Sequence, residues 1–140
     1  MISIQKGEDL LSISLSTILN HRKDEPEFQK LVIDWNKKIL IDIEDFYPLE
    51  IIFHRNEIKF KVNDIDKKVD LKVKMNIYTL LDLAYRRLNP VKAVFQRKLR
   101  FKGLLKFRIL LKFMNIFLKS MQMVASDPNN KYYELNKDIR

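Results

Sequence analysis

The chain has 140 residues, 46% hydrophobic and 32% charged, a globular balance in a length that suits one domain. It has no cysteine, which excludes disulfides, thiolate nucleophiles and cysteine zinc sites. The net charge of +9 is local: Leu83–Ser126 holds eleven lysines and arginines and no acidic residue, whereas the rest has sixteen basic against eighteen acidic residues. Such a local field can steer toward phosphates on lipid or nucleic acid.

Met1–Leu11 carries Glu8 and Asp9 and lacks a basic start followed by a long apolar core, so it does not read as a signal peptide. No apolar run approaches the ~18 residues that span a bilayer, and a soluble, cytoplasmic protein is expected. In Glu8–Asn20 the residues Leu10, Leu11, Ile13, Leu15, Ile18 and Leu19 suit a short helix, interrupted by serines at 12, 14 and 16. HRKDEPE reads as a charged break, and Pro26 is placed to start a second helix. Phe28, Leu31, Val32 and Trp35 form one apolar stripe on it, with Trp35 as a core anchor.

After Lys38 the period changes to two. Ile39–Ile43, Leu49–His54, Ile58–Val62 and Val69–Met75 read as four half-buried strands of an antiparallel meander with one wet face. Tyr78–Leu88 returns to helical spacing, Pro90 opens a further turn through Phe95, and Leu99–Phe101 is a brief fifth strand ended by Gly103. Leu104–Val124 is the longest helical candidate. Its polar stripe is narrow (Arg108, Lys112, Asn115, Lys119, Gln122), so it must bury nearly all round against helices, a partner or a lipid. Helices in 1–38 and a core in 39–125 are read as one domain over 1–125, with a polar tail at 126–140.

The run LDLAYRRLNPVKAVFQRKLRFKG resembles the core motif of the sterol carrier protein type 2 family of lipid-binding domains. Leu83, Ala84, Leu88, Asn89, Pro90, Ala93, Phe95, Gln96, Lys98, Leu99, Lys102 and Gly103 match it. The likeness is densest over these residues and keeps the family's element order from Ile39 to about Leu118. Where the family commonly has two glycines, this chain has Arg86 and Arg97, which removes small residues expected to let helix backbones lie close. The resemblance implies an α/β sandwich of the α+β kind: a five-stranded, mostly antiparallel sheet covered by helices that enclose an apolar tunnel. The ligand it implies is a fatty acyl, sterol or isoprenoid lipid, carried or presented to membranes or enzymes.

Lining such a tunnel are Leu80, Ala84, Phe95, Phe101, Phe107, Leu110, Leu111, Met114 and Phe117; each taken singly also reads as an ordinary core side chain. Arg86, Arg87, Arg97, Lys98, Arg100 and Lys102 surround this segment. They read either as a docking patch for anionic headgroups or as a solvated face. A nucleic-acid binder is the alternative from charge, with Tyr85, Phe95, Phe101 and Phe107 interleaved among the cations, but no nucleic-acid motif accompanies them. A helix-mediated interaction module is another. His21 and His54 show no metal spacing, and P-loop, GxSxG and HExxH motifs do not occur. Neither catalysis nor a cofactor is expected, and the oligomeric state stays open.

Overall fold

A computed structural model describes residues 2–44, 46–62, 68–102 and 106–126. Among them are six strands and five helices in the order β1 (Ser3–Ile4), α1 (Leu10–Arg22), α2 (Pro26–Val32), β2 (Lys37–Ile43), β3 (Leu49–His54), β4 (Glu57–Lys61), β5 (Leu71–Met75), α3 (Ile77–Ala84), α4 (Pro90–Phe95), β6 (Leu99–Phe101) and α5 (Phe107–Ser126). Gly103, Leu104, Leu105 and the polar tail beyond Ser126 lie outside the described residues.

The strands form one sheet in the order β1-β4-β3-β2-β5-β6. β2, β3 and β4 make the expected antiparallel meander. The β3–β4 hairpin turns on Arg55 and Asn56, whose φ values of 48° and 62° give the primed turn that matches strand twist. The fourth expected strand does not extend the meander. Instead β5 lies on the far side of β2 and parallel to it, pairing Ile39 with Leu71 and Ile43 with Met75. Period-two alternation tells which side chains face inward; it carries no information about which strand is the neighbour. β6 then pairs antiparallel with β5, and the two-residue β1, absent from the sequence expectation, pairs parallel with β4.

The registers put the apolar residues on one face. Phe60, Ile51, Ile39 and Leu71 form one row across the sheet, and Leu49, Ile41, Val73 and Phe101 form the next. Helices cover this face. α5 is buried nearly all round from Phe113 to Ser120, with α1, α2 and α3 packed along it. Its Phe113 ring stacks on Phe117 at 5.3 Å and meets Phe53 of β3 edge-on at 6.5 Å. Phe53 in turn contacts Trp35 at 4.8 Å. Over this stretch other helices, not a guest, supply the cover that α5 needs.

Several elements differ from their sequence pattern. α2 ends at Val32, so Trp35 anchors the core from beyond the helix, with the Lys112 ammonium 4.9 Å above its ring. On α1 the apolar stripe is partly inverted: Leu10 and Ile13 are exposed while Ser12 and Ser16 are buried. The serines face inward because Ser12 Oγ accepts the Glu8 and Asp9 amides and Ser16 Oγ accepts that of Gly7. Gly7 is needed there, since a Cβ would stand 2.2–2.5 Å from Ser12 and Ile13 atoms.

The charged break HRKDEPE conceals a core residue. Arg22 is 1% exposed and donates from Nη1 to the Asn115 carbonyl of α5 at 2.7 Å. Its Nη2 meets Glu25 at 3.2 Å and Glu27 at 3.6 Å, and its guanidinium lies 5.5 Å from the Phe28 ring centroid. Lys119 of α5 closes the network on Glu27 at 2.6 Å, which holds that carboxyl below the usual range. One arginine thus ties α1 and α2 to α5.

Candidate functional site

The segment from α3 to the middle of α5 carries every tunnel-lining and basic-patch residue that the sequence singles out. Asn76 caps α3 by accepting the Thr79 amide at 2.8 Å, and Asn89 caps α4 by accepting that of Val91 at 2.8 Å. Pro90 fills the first position of α4, where no amide proton is required. α3 ends at Ala84, short of Leu88. The cause is a left-handed turn: Arg86 has φ 63°, its amide donates to the Leu83 carbonyl at 3.2 Å, and the Arg87 amide donates to that of Asp82 at 2.8 Å. α4 ends the same way. Arg97 has φ 58°, with its amide on the Val94 carbonyl at 3.1 Å and the Lys98 amide on that of Ala93 at 2.9 Å. Both are Schellman caps, in which glycine is the residue of least strain. The two glycine-to-arginine departures therefore bear on helix termination. They do not occupy the close helix–helix approach that the resemblance suggested.

The proposed lining divides into four groups. Leu80, Ala84, Leu110, Met114 and Phe117 are buried, and Phe117 is committed to the stack on Phe113. Phe101 is half-buried on the inner face of edge strand β6, its ring 6.2 Å from that of Phe107 at the start of α5. Phe107 and Leu111 are 43% and 46% exposed. Phe95 stands apart: at 83% exposure it points away from the interior and cannot line an enclosed tunnel. Its position on a helical turn hides this, because the six-residue α4 buries only Ala93.

The result is a strip of partly exposed apolar side chains at the β6–α5 end of the molecule. Phe107, Leu110, Leu111 and Met114 follow one another at helical spacing on α5, passing from solvent to core within two turns. Met114, an unbranched thioether, is the side chain there best able to change shape. A separate cleft of about 460 Å³ lies among Gln5, Lys6, Glu8, Asp9, Ser12, Phe60 and Lys61. Its lining is mostly polar and unsuited to a hydrocarbon.

All six basic residues of the predicted patch are exposed. Two are neutralised: Arg87 pairs with Asp82 at 2.9 Å and lies 5.3 Å from the Tyr85 ring centroid, and Arg100 pairs with Glu44 at 2.7 Å. Arg86, Arg97, Lys98 and Lys102, with Lys92, which the sequence reading left out, have no carboxylate partner among the described residues. Among the described residues no group of three or more His, Asp or Glu side chains could hold a metal ion. No described helix is long and apolar enough to cross a membrane.

Residues 15–118 match the model of the SCP-2 sterol transfer family. No curated protein matches the sequence. Among solved structures the chain is similar to sterol carrier protein domain 2 of Helicoverpa armigera, with a TM-score of 0.60 and 17% identity over 84% of this chain and 94% of that one. It is similar to a conserved protein of Thermus thermophilus, described as possibly a sterol carrier protein, with a TM-score of 0.57 and 15% identity over 92% of this chain and 99% of that one. It also superposes on part of the sec-alkylsulfatase Pisa1 from Pseudomonas sp., with a TM-score of 0.51 and 20% identity, covering 64% of this chain but 13% of that enzyme. At these identities the structural likenesses establish the fold alone.

Proposed function

Because this chain belongs to the SCP-2 sterol transfer family, we propose that it binds the hydrocarbon part of a lipid at the β6–α5 end of its core and carries or presents it to membranes or enzymes. Family membership supports lipid binding and transfer in general. The observation that supports the finer reading is the exposed apolar strip, which we take as the mouth of the lipid site. Phe107, whose ring lies near that of Phe101, and Leu111 are partly left in water, although they alternate at helical spacing with buried Leu110 and Met114. A chain laid along them gains about 0.8 kcal/mol per buried CH2, so half of a long acyl tail binds with useful affinity before its headgroup makes any contact.

Native mass spectrometry of gently purified protein, followed by solvent extraction, is expected to reveal a co-purifying lipid. Fluorescent fatty-acid titration of Phe107→Asp is expected to show at least a tenfold loss of affinity with an unchanged melting temperature, since the side chain is exposed. A protein that is uniformly ligand-free and ignores fatty acids of every length overturns the reading.

A further inference from the structure

Phe95, at 83% exposure, is the most exposed of the large apolar side chains among the described residues, and Val91 one turn before it is 47% exposed. At i and i+4 they share a face of α4. α4 rests on the molecule through Ala93, with Val94 half-buried, so this face is the exposed one. Lys92 lies within the same helix, and Arg97 and Lys98 follow its cap residue Gln96. The two carboxylates paired in this neighbourhood, Asp82 and Glu44, are held by Arg87 and Arg100. What remains is an exposed aromatic side chain close in sequence to Lys92, Arg97 and Lys98, none of which has a carboxylate partner among the described residues.

We propose that α4 is a membrane-docking element, which lays Val91 and Phe95 into the interface of an anionic bilayer and sets Lys92, Arg97 and Lys98 against its phosphates. Charge selects this occupant. A second copy docked on the same face would bring like charges together, whereas an anionic lipid surface neutralises them, each cation strengthening attachment about fivefold. An aromatic side chain flanked by lysine and arginine is also the composition that settles at headgroup depth. α4 runs directly into β6, whose Phe101 belongs to the mouth, so docking there would bring the mouth toward the lipid. This inference rests on the lipid-binding reading for its purpose but on α4 alone for its geometry.

The test is co-sedimentation of the full chain with phosphatidylcholine vesicles, with and without about one third phosphatidylglycerol, at low salt and at molar salt, where screening shortens to ~3 Å. Binding is expected to the anionic vesicles at low salt and to fall away in molar salt. Phe95→Asp, and separately Lys92→Glu with Lys98→Glu, are expected to lower partition more than tenfold. Ile33→Asp, at an exposed residue outside this segment, is expected to leave it unchanged. Equal binding to neutral vesicles, or retention of binding by Phe95→Asp, overturns the proposal. So does a Phe95-dependent dimer, or a Phe95-dependent affinity for single-stranded oligonucleotides, in a protein that ignores vesicles. Fatty-acid titration of Phe95→Asp separates the two readings. Retained fatty-acid binding with lost docking is the expected result, and vesicle binding by a protein that takes up no fatty acid sinks the mouth and leaves α4 standing.

Discussion

Arg86 and Arg97 hold left-handed backbone at the ends of α3 and α4, which costs an L-residue roughly 1–2 kcal/mol. Replacing either by glycine relieves that strain but loosens the unfolded chain, worth about 0.4–1 kcal/mol in the other direction. Arg86→Gly is therefore expected to stabilise by about 0.5 kcal/mol and Arg86→Ala not at all, as measured by urea unfolding with Trp35 fluorescence. Asp9 offers a pH-dependent case. Burial pushes its carboxyl up, but hydrogen bonds from Ser12 and Tyr47 prevail and hold it below its ordinary value of 3.8. A depressed carboxyl contributes stability that is complete above 3.8 and disappears as pH falls through the folded-state value. Tyr47→Phe removes one of those bonds and leaves the Leu11 amide without its acceptor. It is expected to cost about 1 kcal/mol at neutral pH, and the gap from wild type should narrow in acid. A gap independent of pH would count against this role for Asp9.

At the scale of elements, α5 is the spine and Arg22 is the tie that binds α1 and α2 to it. Arg22→Ala removes a buried side chain together with its bonds to Glu25 and the Asn115 carbonyl and is expected to cost roughly 2–5 kcal/mol. Lys119→Ala removes only an exposed pair and should cost less than about 1 kcal/mol. Phe113→Ala empties the aromatic stack and is expected to cost about 3–5 kcal/mol, whereas Phe107→Ala at the mouth should change stability little. Comparing chemical denaturation of the four variants checks the order. Helix starts were legible from Pro26 and Pro90, because proline at the first helical position acts locally. Helix ends were not: arginine at a left-handed cap gives no sign of the turn it makes, so α3 looked longer than it is. Arg22 was equally hidden, since its burial depends on an α5 carbonyl far along the chain.

For the whole molecule, the uneven charge and the one-faced sheet set the layout. The basic block runs from the turn after α3 through α4 and β6 along α5, and its acid-free composition is visible without coordinates. Which of its cations are paired is not, since Glu44 reaches Arg100 only after folding and the turn after α3 sets Arg87 on Asp82. Ligand binding to the folded state should register globally. A fatty acid at about 100 times its Kd adds ~2.7 kcal/mol, so the melting temperature is expected to rise with its concentration, and to rise less in Phe107→Asp. No shift for any chain length would leave the mouth without a function.

What the residues determined by themselves was local or periodic. They specified the four main strands, the inward faces, the proline-started helices and the family motif around Leu-Asn-Pro, because side-chain period and capping act over a few residues. Tertiary structure decided what depends on distant neighbours: β5 beside β2, serines rather than Ile13 inside α1, Arg22 in the core, and Phe95 outside it. Burial is a property of what arrives from elsewhere in the chain. An apolar residue on a six-residue helix carries no record of whether anything comes to cover it.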